Sequence, residues 1–455
     1  MSTTITPDAL TPPRLVVTTG GRPVPGSRAP GWLQTADFLR SPTSFLERNR
    51  RRYGDIFSAK LHGLATGRMV MVADPKLIEE VFKADPYMLK AGEAAYTTIA
   101  PIGGPNSLLV LDAPEHLEDR RLLLPPLHGE RLRAYADVIA EETDRSVATW
   151  PIGKPFPMRR PMADITLDVI MRAVFGLERG GRYDALRQAL VDSTSGETAI
   201  SLGLMVPAFR RDLGPFRAWS EFEAAVARTD ALLYAEIADR RKADDLEQRP
   251  DILSMLILAR RKNGTPMTDH ELRDELVTLL LAGHETTATG LSWTMELLYR
   301  HPAVLAKLRA SVAAGDEEYL DAVIHEALRV RPVIPFVFRV LTRPIQLGGY
   351  ALDAGVTVVP AVHLVHRREE LYPQSAEFRP ERFLGRSPGT YEWLPFGGGT
   401  RRCIGASFAL MEMRVVLQRV LAQTMLEPAG KRPEKTRRRA FTLVPARGAM
   451  TIRRR

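Results

Sequence analysis

Phe396-Gly397-Gly398-Gly399-Thr400-Arg401-Arg402-Cys403-Ile404-Gly405 carries a glycine-rich loop into the start of a helix, with a thiol at the junction. Glycines let successive backbone amides turn toward the sulfur. The positive end of the following helix and the guanidinium groups of Arg401 and Arg402 both favour the thiolate over the thiol. A thiolate in that setting is a nucleophile or a metal ligand. A phosphatase-like nucleophile calls for an arginine six residues after the cysteine, and Ala409 stands there. Cys403 is the one cysteine of the chain, which excludes an internal disulfide and a cysteine-rich structural zinc site.

Outward from that loop the chain reads as mostly helical. Gly405–Thr424 continues it as a long helix. Upstream, Thr268 and Glu271 have capping-box spacing, and a periodic run follows to about Arg300, where His301-Pro302 stops it. Roughly 32 residues at 1.5 Å each give a helix of roughly 48 Å, long enough to cross the molecule. Asp316–Val330 is a further helix, and Glu130–Trp150, Ala163–Phe175, Ser220–Lys242 and Ile252–Lys262 all show apolar spacing near 3.6. Gly54–Asp74 alternates as a β-hairpin, and Asp74-Pro75 opens a helix. Val340–Pro360 reads as short strands around Gly348-Gly349, and the tail ends in a hairpin turning near Ala446-Arg447-Gly448. Tyr87–Pro114 and Asp192–Gly214 read as irregular. The expectation is a mainly α fold with a small β portion, made of an extended proline-rich arm over residues 1–31 and a single domain over 32–455.

Composition narrows the function classes. Hydrophobic residues are 45% and charged residues 26% of 455, which excludes a disordered, collagenous or low-complexity chain. No apolar run reaches the ~18 residues of a membrane span. Residues 1–31 hold six prolines and lack the cationic start and apolar core of a secretion signal, so a cytoplasmic protein is expected. The net charge of +9 is concentrated in the tail: residues 431–455 carry ten basic side chains against one acid, Glu434. A solvated basic face is the plain reading. No aromatic interleaving or motif supports nucleic acid as a partner.

Three further constellations bear on chemistry. Ala282-Gly-His-Glu-Thr-Thr-Ala288 places a glycine, an acid and two threonines inside a helix that is apolar on either side. Gly283 there costs about 1 kcal/mol relative to alanine, and a buried Glu285 costs more. The segment therefore reads as a buried polar notch. Glu326 and Arg329 stand three apart on one helix face, and Pro380-Glu-Arg382-Phe follows downstream. His116, Arg120, Arg339 and Arg401 are cations scattered along the chain.

Phe-x-x-Gly-x-x-x-Cys-x-Gly, filled by Phe396, Gly399, Cys403 and Gly405, resembles the haem-binding signature of the cytochrome P-450 family of haem-thiolate monooxygenases. The resemblance runs from residue 54 to the tail and places the other constellations in the family's order. It implies the cytochrome P-450 fold, with haem b between the long central helix and the Cys-loop helix and Cys403 as the axial thiolate. Phe396, Gly397, Gly405 and Ala282 would contact the cofactor, and His116, Arg120, Arg339 and Arg401 would hold its propionates. Many bacterial members have histidine where Arg401 stands. Thr286 would hydrogen-bond the bound dioxygen or its water and Glu285 would feed protons, although the family's acid is often aspartate. Glu326, Arg329 and Arg382 would form the structural triad beneath the haem.

The implied activity is insertion of one oxygen atom of O2 into a lipophilic small molecule, fatty-acyl, terpenoid or steroid-like, by hydroxylation or epoxidation. The chain has no Gly-x-Gly-x-x-Gly after a strand and no flavin or iron–sulfur motif. Two electrons must therefore come from outside, most simply from a ferredoxin and its reductase. With Arg401 and Arg120 taken by the propionates, Arg402 and Arg121, with Arg131 and Arg133 shortly after, would be free to face solvent and suit a small acidic donor. A monomer without a transmembrane anchor is expected. A peroxide-driven peroxygenase and a non-enzymatic haem sensor are the rivals. The acid–threonine pair counts against both, and the absence of an output domain counts against the sensor. The pocket walls are expected from Tyr87–Pro114 (Ile99, Ile102, Leu108, Leu109), Asp192–Gly214 (Met205, Phe209), Ala282 and Val333–Val337, including Phe336.

Overall fold

The computed structural model describes residues 21–454 apart from 64–65, 130, 195–202, 205–209, 213–216 and 440. Two helices, α1 (Gly31–Arg40) and α2 (Pro42–Tyr53), lead into a hairpin of β1 (Ile56–Lys60) and β2 (Arg68–Val72). Its register runs from Ile56 opposite Val72 to Lys60 opposite Arg68, as the alternation requires. The Asp74 carboxylate then caps α3 (Pro75–Lys83), accepting from the amides of Lys76 at 2.9 Å and Leu77 at 3.1 Å. β3 (Leu89–Lys90) and α4 (Gly92–Gly103) follow.

The helical body comprises α5 (Glu115–Leu123), α6 (Arg131–Ala148), α7 (Arg159–Ala173), α8 (Arg182–Thr194), α9 (Ala218–Arg240), α10 (Ile252–Leu258), α11 (Asp269–Arg300), α12 (Pro302–Ala313) and α13 (Glu317–Val330). A short β4 (Pro155–Pro157) precedes α7. The capping box at the start of α11 is formed: Thr268 N–H donates to Glu271 Oε2 at 2.7 Å and Glu271 N–H to Thr268 Oγ1 at 3.3 Å. Beyond α13 come β5 (Arg339–Leu341), β6 (Ile345–Leu347), β7 (Tyr350–Leu352), β8 (Thr357–Pro360), α14 (Val362–His366) and α15 (Ala406–Gln423). The chain ends with β9 (Met425–Pro428), β10 (Thr436–Arg439), β11 (Thr442–Pro445) and β12 (Met450–Arg454).

The main core lies where α7, α13 and α15 pack around α11, with α6 against α7 and α15. Leu276, Leu291 and Met295 of α11 are buried there against residues such as Ile165, Leu320, Val416 and Leu417. A five-stranded sheet of order β1-β2-β8-β5-β3 forms the small β portion over its own core of Ile78, Val358 and their neighbours. Residues 21–30 run along this portion, with Arg22 bridged to Tyr350 and Gly26 to Ser58. The rest of the expected arm, residues 1–20, lies outside the described residues.

Three expectations are corrected. Tyr87–Pro114 is not irregular throughout, because α4 occupies its middle. The helix expected over Ile252–Lys262 stops at Leu258, where the backbone of Ala259 becomes extended. The tail hairpin is displaced: β10 pairs with β11, whereas β12 pairs with β4 and β9. The turn at 446–448 therefore joins two sheets, held by Arg159 N–H donating to Gly448 O at 3.0 Å. Most of Asp192–Gly214, including Met205 and Phe209, lies outside the described residues.

Candidate active site

The loop before α15 is shaped by its own backbone. Gly397 N–H donates to Leu394 O and Cys403 N–H to Phe396 O, both at 3.0 Å. Gly397 and Gly399 adopt φ of +65° and +66°, which side chains rarely tolerate. A Cβ on Gly399 would also stand 2.0 Å from Phe82 O, so the end of α3 presses directly on the loop. At Gly405 a Cβ would meet nothing within 4 Å, leaving open space next to the cysteine.

Cys403 presents accessible surface, yet burial pushes its thiol up from the ordinary range. The two facts agree only if the exposed face opens onto an internal cavity rather than the exterior. The Gly405 amide, Arg120 and Arg402 all act in the opposite sense and favour the thiolate. Loop and arginines point the way the sequence suggests, but burial outweighs them. A cation on the sulfur would reverse that balance.

Helix α11 carries an opening of its own. Leu272–Leu280 and Thr287–Tyr299 are buried without interruption, while residues 281–286 carry accessible surface, greatest at Ala282. Thr286 Oγ1 donates back to Ala282 O at 2.5 Å. His284 turns into the core, with Nδ1 2.9 Å from Thr166 Oγ1, and burial with nearby Arg159 and Arg187 lowers it to about 4. Glu285 turns toward the start of α7. Arg159 Nη2 donates to both of its oxygens at 2.8 Å, and Arg439 stands 3.5 Å away.

The four expected cations divide into a cluster and a neighbour of the cysteine. A cavity lined by Phe82, Ala113, His116, Arg339, Thr400 and Arg401 brings three of them together. Burial, then Arg401, Arg120 and Arg339, depress His116 to about 3. Burial and Arg401 lower Arg339 to about 9, and burial lowers Arg401 to about 10. The Asp112 carboxylate opposes the shifts of Arg339 and Arg401, and accepts from Arg401 Nη2 at 2.7 Å. Asp112 also accepts from the amides of Ala91, Gly92 and Glu93, at 2.8–2.9 Å, and so holds the start of α4 beside Arg401. Sequence reasoning missed Asp112, because its partners lie about twenty residues upstream and almost 290 downstream. Arg401 further donates to Leu108 O at 3.0 Å and to Leu111 O. Arg120 lies nearer the sulfur, as its influence on Cys403 shows.

Beneath the loop the expected triad is assembled. Arg329 Nε and Nη2 donate to Glu326 Oε2 and Oε1 at 2.7 and 2.8 Å, and Arg382 Nε donates to Oε1 at 3.0 Å. The Arg379 amide adds a fourth bond at 2.8 Å. Arg329 also donates to the carbonyls of His366, Ser375 and Glu377, tying α13 to the stretch that leads to the loop. Of the expected pocket walls, Leu108 and Val333 are buried in the main core, and Phe336 packs against Phe38 and Phe338.

A family model described as cytochrome P450 matches residues 25–452. The chain belongs to the cytochrome P450 family. Cytochrome P450 135B1 of Mycobacterium tuberculosis is 44% identical over 431 residues, covering 93% of this chain and 90% of that protein. Cytochrome P450 137 of the same organism is 40% identical over 402 residues, covering 88% and 83%. Among solved structures, a retinoic-acid-bound cyanobacterial CYP120A1 superposes with a TM-score of 0.82 at 23% identity, covering 95% of this chain and 99% of that one. That likeness supports the fold.

P450s are haem-thiolate oxidoreductases, and the cofactor is haem with a cysteine as its axial iron ligand. The residues of this P450 fit that group. Its one thiol faces an internal cavity and would gain from a cation. Gly405 leaves room beside it, and α11 opens at Ala282–Thr286. In the His116–Arg339–Arg401 cavity only Arg401 has a carboxylate partner among the described residues, Asp112, and buried Arg339 would gain from the charge that two propionates would bring. No helix is long and apolar enough to cross a membrane among the described residues.

Proposed function

We propose that this P450 is a monooxygenase that uses O2 and two externally supplied electrons to hydroxylate or epoxidise a lipophilic small molecule, fatty-acyl, terpenoid or steroid-like. The observation that carries this is the break in the burial of α11 at residues 281–286, with Thr286 in it and Glu285 held there by Arg159 from the start of α7. Bound haem supplies the oxygen-activating chemistry. Cys403 holds the iron, and Arg120, Arg339, Arg401 and His116 hold the propionates. Ala282 leaves space for the reacting molecules. The Thr286 hydroxyl, its own proton engaged by Ala282 O, accepts a hydrogen bond and so positions the proton donor, and Glu285, held by Arg159 and Arg439, takes up protons and passes them inward.

Electrons come from a ferredoxin and its reductase docked on the cysteine side of the molecule. The protein works as a cytoplasmic monomer, with residues 32–455 as one domain. The test is turnover with NADH, a ferredoxin and a ferredoxin reductase under isotopically labelled O2, after a lipid library has been screened for a haem spin shift. One labelled oxygen atom in the product is expected. Product formed only with added peroxide, and none with NADH and partners, would contradict the proposal.

A further inference from the structure

The basic tail is where the fold leaves charge unexplained. Several of its arginines have partners: Arg447 stands 3.4 Å from Glu434, Arg454 pairs with Glu427, and Arg453 donates to Val147 O at 2.7 Å. Arg437 and Arg439 behave differently. As alternate residues of β10 they share one side of the strand. Across a cleft of about 200 Å³ they meet Arg159 and Arg160 at the start of α7, with Pro445 and Gly448 among the wall residues.

Four arginines line this cleft, and two of them, Arg159 and Arg439, are held by the carboxylate of Glu285. That leaves Arg160 and Arg437 to answer for. Arg160 and Arg437 are exposed and make no side-chain hydrogen bond or ion pair among the described residues. Arg159 Nε is buried without a partner. The arrangement is held by backbone and not by the charges themselves. Arg159 N–H bonds to Gly448 O and Met158 N–H to Ala449 O, and the β10–β11 ladder fixes Arg437 opposite Val444 and Arg439 opposite Thr442. Like charges kept together in this way repel until a counter-charge arrives.

We propose that this cleft binds the phosphoryl group of a small soluble molecule, with Arg160 and Arg437 as its own ligands and Arg159 and Arg439 shared with Glu285. Guanidinium forks match the oxygens of a tetrahedral oxyanion two at a time. Two guanidinium groups unpaired among the described residues, beside the buried unpartnered Nε of Arg159, suit a multiply charged phosphoryl group better than a single carboxylate. The cleft admits a group of that size with a short remainder. Occupancy draws Arg159 and Arg439 away from Glu285, so the ligand tunes proton supply from outside the haem cavity. That last consequence rests on the function proposed above; the binding itself does not.

Calorimetric titration of resting holoenzyme with inorganic pyrophosphate, in a buffer without other multivalent anions, tests the site independently of turnover. Saturable binding at one site is expected. Arg160→Glu with Arg437→Glu should weaken it at least about tenfold, as losing charge-assisted bonds does. Arg437→Gln, a milder change on an exposed strand, should weaken it less and serves if the double variant folds poorly. Glu285→Gln removes the competing carboxylate and should tighten binding several-fold. No saturable binding, or affinity unchanged in both arginine variants, would overturn the site. Unchanged affinity in Glu285→Gln would overturn the sharing. Binding to phosphatidylglycerol vesicles that pyrophosphate does not displace would overturn the soluble source.

Discussion

Thr286 satisfies its own donor against Ala282 O one helical turn back, so its hydroxyl oxygen still has lone pairs on the open face of α11. Replacing it by alanine removes the group without disturbing the buried residues on either side. Thr286→Ala is expected to keep substrate affinity within about twofold while the ratio of product to NADH consumed falls by roughly tenfold, a partial loss of the roughly 10²–10⁴-fold that positioned proton transfer contributes. Measuring NADH, peroxide and product together checks this, and Thr286→Ser should restore much of the coupling. Equal coupling in the alanine variant and wild type would remove Thr286 from the mechanism. The triad obeys different arithmetic. Glu326 keeps Arg329 and the Arg379 amide when Arg382 is lost, so Arg382→Ala should cost about 1.5–3 kcal/mol, the worth of one charged hydrogen bond. Glu326→Ala leaves the Arg329 charge fully buried and should cost about 3–5 kcal/mol. Denaturant titration and haem content after purification would show the difference, and equal losses would argue against it.

At the scale of elements, α11 and α15 meet at a titratable contact. Glu412 of α15 is buried beside Thr287 of α11, and burial pushes its carboxyl up to about 8, against a smaller opposing effect of the Thr287 bond. The folded protein therefore holds a proton there that the unfolded chain releases near pH 4.5. Unfolded chains bind fewer protons between those values, so this residue makes stability fall as pH rises from about 4.5 to about 8 and adds no further slope above. Glu412→Gln should flatten that slope and be more stable than wild type near pH 8 by a few kcal/mol, with little difference at pH 4.5. Parallel slopes in the two proteins would contradict the assignment.

The same scale shows what the sequence made legible. The thiol loop, the notch in α11 and the triad could be found because each is a short pattern of residue types whose chemistry is local. The helix α4 could not. Its glycines, the β-branched Thr97 and Thr98 and Pro101 argue against a helix, and what starts it is Asp112, reached only through the fold. The partners of Glu285 were hidden for the same reason, since Arg159 lies 126 residues away. In the tail, the turn residues at 446–448 were visible but not their purpose. Which strand β12 joins depends on β4 and β9, and no periodicity within the tail carries that information.

For the molecule as a whole, the side of the haem cavity that carries Cys403 is also where charge meets solvent. Arg402 and Arg121 are exposed, while Arg401 is engaged by Asp112. A small acidic electron donor would be steered there, mainly through its association rate. Reduction by a ferredoxin should slow steeply between 0.1 M and 1 M salt, as the screening length falls from ~10 Å to ~3 Å, while substrate affinity stays level. Arg402→Glu should slow reduction without loss of haem. A reduction rate indifferent to both would place docking elsewhere.

All of this depends on Cys403 lying on the iron as a thiolate, although burial alone would keep it protonated. The most direct measurement is the absorption spectrum of the reduced, carbon-monoxide-treated protein at neutral pH. The account requires the strongly red-shifted Soret band of thiolate-ligated haem in the wild type, and its disappearance in Cys403→His. A wild-type band at the position of a neutral nitrogen ligand, or a red-shifted band that survives Cys403→His, would contradict it.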